Sequence, residues 1–253
     1  MQIAIKDGFY RLYVNPLKVK DAPYIYQIIA TIAAVSFFLP FIILIIKKLV
    51  THRVFIWFVA YWTLAGSVNL LFMSEAFTNS RLMTVTERVF NLADASFMLF
   101  ILYKTVHIEV IKNSIKKMLP AFLCASLLVT VITQLQDYAE TLIVGMGLVI
   151  ILLYIVWIIT HYIKGVKYYN AEYTLQFIYY ALLFEYGISV VTFIFSYMIP
   201  DKSNLHDSFF VYHISIIISI SLASYGLLVH KENIEEKKAG VEKKEREAEI
   251  KFL

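Results

Sequence analysis

Apolar runs long enough to cross a lipid bilayer recur through most of this chain, and that repetition constrains the fold more than any single motif. Inside hydrocarbon no water bonds the backbone, so each run must satisfy its own N–H and C=O groups, and a run of about 20 residues is helix length. The runs fall at 24–46, 54–73, 84–102, 118–135, 142–163, 173–199 and 209–229. The expected fold is therefore all-α: a polytopic, seven-helix transmembrane bundle with a charged cytoplasmic C-terminal helix. With 60% apolar residues and a mean hydropathy of +0.69, an ordinary soluble domain is excluded.

Three parts follow: an extracytoplasmic or interfacial segment over 1–23, the membrane domain over 24–229, and a charged helix over 230–253. The first segment alternates Phe9, Tyr10, Tyr13 and Leu17 with Lys6, Arg11, Lys18 and Lys20, which suits an interfacial helix or a disordered tail. It lacks a signal-peptide pattern, so the first span is expected to be retained. Pro40 should kink that span, and Pro120 marks the first turn of the fourth. Cys124, the sole cysteine, sits in an apolar run and reads as a small packing residue.

Lysine and arginine set the orientation. Sixteen of the 23 lie in the expected loops 47–53, 103–117 and 164–172 and in the tail, all on one side of an odd-numbered bundle. The remaining seven lie on the other side, four of them in the N-terminal segment. The N-terminus is expected outside and the C-terminus in the cytoplasm, within a bacterial inner membrane.

The third run carries Glu87, Asn91 and Asp94 on one helical face. Thr84 and Glu87 have the form of a capping box, so Glu87 has a competing role at a helix start. Asp94 lies two turns deeper, beyond the reach of capping, about 10–15 Å below the outer surface on this topology. Glu185 is the other carboxyl well inside a span. Asn69, Asn91 and His213 fall in the outer halves of theirs. These side chains, from four helices, are expected to converge on one outward-facing polar cavity that takes a small ligand or cation. The alternative is that they merely hydrogen-bond between helices.

Other chemistries find no support. The last span has no lysine for a retinal Schiff base, and the histidines lie at different depths, so no metal site is expected. No phosphate-binding loop or Ser-His-Asp grouping appears, so neither a cofactor nor an enzymatic activity is expected. No nucleic-acid partner is expected either. Ser215, Ser219 and Ala223, four residues apart, read as a close helix-packing face.

The tail from Lys231 holds seven basic and seven acidic residues, with i, i+4 pairs such as Glu242–Arg246. Leu227, Ile234, Val241 and Ala248 recur at heptad spacing, which allows a homodimer through this helix; a plain solvated tail is the alternative. Seven spans leading into a Glu/Lys-rich helix ending Glu247-Ala-Glu-Ile-Lys-Phe-Leu253 resemble the membrane sensor half of bacterial seven-transmembrane receptor histidine kinases. The resemblance implies a kinase dimerisation segment after the helix; no phosphoacceptor histidine box or ATP-binding motif appears before Leu253.

Two functions remain in view, with a membrane enzyme acting on lipid a fainter third. One is a sensor or receptor-like module coupling the polar cavity to the cytoplasmic helix. The other is a small transporter or proton-coupled carrier using Asp94 and Glu185. Carriers often show inverted repeats with broken helices in matching positions, and none is visible here, which favours the sensor.

Overall fold

The structure, a computed structural model, describes residues 24–73, 80–132, 137–164, 170–198 and 205–230. Among these every regular element is helical: α1 (Tyr24–Ser36), α2 (Leu39–Ile46), a 3-10 turn (Leu49–Thr51), α3 (Arg53–Met73), α4 (Ser80–Thr105), α5 (Glu109–Ile132), α6 (Asp137–Lys164), α7 (Asn170–Met198) and α8 (Leu205–Val229). Among the described residues six helical segments are long and apolar enough to cross a membrane: α1 with α2 as one, then α3, α5, α6, α7 and α8. The chain is a helical membrane protein. Helix α4 is about 39 Å long at about 1.5 Å per residue. Its Arg81, Glu87, Arg88, Asp94 and Lys104 keep it out of the apolar six. The N-terminal segment and the charged tail, with Ile234, Val241 and Ala248, lie outside the described residues.

Helices α3 and α4, and α7 and α8, pair antiparallel, as Tyr61–Asp94 with Trp57–Phe100 and Ser219–Ala181 with Gly226–Phe177 show. In the first crossing, the expected break occurs at Phe37 and Phe38, where Phe38 N–H donates to Val35 O at 3.1 Å, a tighter i−3 bond. Pro40 then sits in the first turn of α2, where a missing N–H costs nothing. The α2–α3 corner turns through Lys48, a non-glycine residue at φ 55°.

The helices close into a ring, each packed on the next: α1/α2, α3, α4, α6, α7, α8 and back to α1/α2. Among the described residues helix α5 stands outside that ring, packed chiefly against α4 and α6. The α7–α8 pair is the most extensive. Gly226 makes that approach possible, because a Cβ there would fall 2.6 Å from Phe177 Cβ. Gly147 does the same for α6 on α4, against Ala95.

One end of the bundle is basic. His52 at the α2–α3 corner lies 5.1 Å from His230 ring to ring, and His230 Nδ1 is 2.9 Å from Thr174 Oγ1 near the start of α7. Thr105 Oγ1, at the end of α4, is 3.3 Å from Tyr179 Oη, so the α4–α5 corner belongs to that end too.

Three local expectations are corrected. The helix holding Asp94 starts at Ser80, a full turn before Thr84, so Thr84 and Glu87 do not cap it; the sequence signal for a cap was matched inside a longer helix. The basic segment 103–117 is not a loop. Helix α4 reaches Thr105 and α5 begins at Glu109, because buried Ile111 and Ile115 recruit Lys112, Lys116 and Lys117 onto a helix. Pro120 consequently lies mid-helix rather than in a first turn.

Candidate functional site

The polar side chains that the helices do gather sit where α3, α4 and α7 meet inside the ring. Consecutive helical residues point about 100° apart. Tyr61 and Trp62 on α3 therefore address different neighbours. Tyr61 Oη donates to Asp94 Oδ1 at 2.8 Å across to α4, while Trp62 Nε1 donates to Glu185 Oε2 at 3.4 Å across to α7. Tyr186, next to Glu185, brings its hydroxyl to 3.0 Å from Tyr61 Oη.

All five side chains are buried, with Trp62 fully enclosed. A phenol has one proton. When Tyr61 gives its proton to Asp94, the Tyr61–Tyr186 contact must run the other way, with Tyr186 donating to Tyr61. A directed chain thus runs from α7 through α3 to α4. The Tyr61–Asp94 bond is short and charge-assisted when Asp94 is ionised, whereas the Trp62–Glu185 bond is long and weak.

The depth of Asp94 differs from the sequence expectation. Asp94 lies about 21 Å along the helix from Ser80 and about 16 Å from Thr105. Glu185 lies about 22 Å from Asn170 and about 20 Å from Met198. Both carboxyls therefore lie near the middle of their helices, the expected position for Glu185, whereas Asp94 is deeper than expected because α4 extends beyond its apolar run to Ser80.

The other candidates are arranged unequally. Asn91, one turn from Asp94 on the same face, is buried beside it in sequence and space. Asn69 is not part of the cluster: its Nδ2 donates to Ala65 O at 2.9 Å on its own helix, two turns from Tyr61. His213 packs edge-on to Tyr212, with ring centroids 5.7 Å apart, and its Nδ1 meets no hydrogen-bond partner among the described residues. The backbone of Glu87 is helical, but its side chain lies outside what is described. Ser215, Ser219 and Ala223 are buried on α8, and Ser219 Oγ donates to Ala181 O on α7 at 2.9 Å, as a packing face requires.

Tyr61, Trp62 and Tyr186 were not singled out from the sequence. Aromatic residues near span ends read as belts at the membrane surface. The signal that finds these three is position: a tyrosine or tryptophan far from a helix end must still satisfy its O–H or N–H inside the bundle.

Toward the basic end the same helices meet again. Tyr179 stacks on Tyr162 at 5.8 Å and meets Phe58 edge-on at 5.9 Å, below the bond to Thr105. One further step along α7, Thr174 holds His230 at the foot of α8. Fold and site together define an all-helical membrane protein with two carboxyls enclosed at mid-bundle. No protein-family model, curated protein or solved structure matches the chain.

Proposed function

We propose that the protein is a seven-helix membrane sensor in which α4 makes the seventh crossing, with the N-terminus outside and the C-terminus in the cytoplasm. The Asp94, Tyr61, Tyr186, Trp62 and Glu185 cluster takes up a small ligand or cation, with Asn91 at its edge. Occupancy is passed along α7 and α8 to the charged cytoplasmic helix. One observation carries this reading: the hydrogen-bonded cluster joins α3, α4 and α7, and α7 is tied to the foot of α8 through Thr174 and His230. A change of charge on either carboxyl alters the bonds that hold three helices together, which is what a bistable element needs. The enclosed carboxyls are costly to keep in a membrane helix, and such groups commonly mark function.

A second reading, a cation carrier, is favoured by depth. Carboxyls at mid-bundle are about equally far from both surfaces, as alternating access needs. One experiment separates the two. The full chain, reconstituted in liposomes containing a pH-sensitive dye, carries spin labels at Lys48→Cys and Lys231→Cys. The sensor is expected to move the labels when external pH or sodium is changed, with no dye response, and Asp94→Asn and Glu185→Gln should each abolish that movement while the protein stays folded. Proton flux seen by the dye, with or without label movement, makes it a carrier. Neither response, or wild-type behaviour of both variants, removes the cluster from function.

A further inference from the structure

The α4–α5 corner concentrates positive charge against an aromatic wall, away from the carboxyl cluster. Lys104, in the last turn of α4, holds its Nζ 5.4 Å from the Phe100 ring and 5.6 Å from the Tyr103 ring. Lys112, in the first turn of α5, holds its Nζ 5.8 Å from the same Tyr103 ring. Two ammonium groups from two helices therefore share one tyrosine. Buried Val106, Ile111 and Ile115 pin the corner beneath them, so the arrangement belongs to the fold. Among the described residues neither lysine forms an ion pair with a carboxylate; exposed Glu109 is nearby in sequence but does not neutralise them. Lys116 stands exposed one turn beyond Lys112, adding a like charge at i, i+4, which is unfavourable without an anion.

We infer that this corner binds the phosphate of an anionic phospholipid headgroup, with Lys104 and Lys112 supplying the charge and Tyr103 the platform between them. The corner lies at the end of the membrane-crossing helices, the level at which headgroup phosphates and interfacial tyrosines meet. Lysine stems lie along apolar surface while the ammonium reaches outward, and Phe100 extends the wall toward the acyl chains. A free anion in water gains nothing from that aromatic wall, whereas a lipid fills both halves of the site. Clustered basic residues beside membrane helices attract anionic lipids by the same electrostatics.

The test uses the purified full chain in detergent, titrated with phosphatidylglycerol or phosphatidylcholine, with retained lipids counted by native mass spectrometry. Wild type is expected to retain one phosphatidylglycerol in clear preference to phosphatidylcholine. Lys104→Gln and Lys112→Gln should each lower that preference about fivefold, and the double variant more than tenfold. Lys104→Arg/Lys112→Arg should keep it, since guanidinium groups also bind phosphate. That charge-conserving pair also guards against misreading a folding defect. Lys47→Gln/Lys48→Gln, at another basic corner, should leave it unchanged. The inference is overturned if wild type shows no headgroup preference, or if the Lys47/Lys48 pair causes an equal loss. Displacement of the lipid by equimolar inorganic phosphate would also overturn it, making the corner a soluble-anion site.

Discussion

The seam where α3, α4 and α7 meet and the flank formed by α5 draw on similar apolar residues but are held by different forces. The seam is fastened by directional bonds between enclosed polar groups, from Tyr186 through Tyr61 to Asp94 and from Trp62 to Glu185. Helix α5 turns Leu127, Leu128 and Val131 outward, and a hydroxyl pair, Ser114–Tyr154 at 2.9 Å, links it to α6. Lipid tails are as apolar as leucine, so burying α5 gains little from the hydrophobic effect. Close backbone approach and dispersion supply the rest, as where Gly147 admits Ala95 beside Phe122. The comparison teaches that positional sensitivity in this bundle follows enclosure and shape rather than hydrophobicity.

Four substitutions test that contrast, read as unfolding free energy in detergent. The largest loss is expected where α7 and α8 approach each other at Gly226. Gly226→Val drives a side chain into Phe177 and Thr174 O and should cost about 3 kcal/mol. Stability within about 0.5 kcal/mol of wild type would mean that α7 and α8 separate freely, which undercuts their use as a coupled pair. Next, Tyr61→Phe removes the hydroxyl that serves both Asp94 and Tyr186, with a cost of about 1–2 kcal/mol. The same change at Tyr103, on the rim, supplies the comparison, and equal losses at the two positions would erase the distinction between seam and surface.

A smaller effect is expected from Ser114→Ala, about 0.6 kcal/mol, the usual size of an interhelical hydrogen bond in a membrane bundle. A cost as large as that of Tyr61→Phe would show that α5 is fastened like the interior. The smallest belongs to Leu128→Ala, which faces lipid and should change stability by less than about 0.5 kcal/mol. A loss above about 2 kcal/mol there would reveal a covering partner on the α5 flank.

Much of the architecture is legible in the amino-acid order because the bilayer permits so few solutions. Apolar length alone locates α3, α6, α7 and α8 to within a few residues, since uninterrupted hydrophobic helices have no alternative partner for their backbone. The kink near Pro40 is readable for the same local reason. The limits of α4 and α5 are not, because Arg81, Arg88, Lys112 and Lys116 look like loop residues yet ride on helices whose other faces are buried.

The sequence by itself determined that Asp94 and Glu185 stand well inside apolar runs, away from the helix ends where most other carboxyls lie. It also determined that Ser215, Ser219 and Ala223 share a face. Only the tertiary structure decided which residues meet those carboxyls. Tyr61 and Trp62 are adjacent in the chain but address Asp94 and Glu185 on different helices, and Asn69 turns back onto Ala65. Period and hydropathy fix where a residue lies along its own helix and which face it shares. The rotation and depth of one helix against another come from packing, where Gly147, Gly226 and the close approaches they allow set the register.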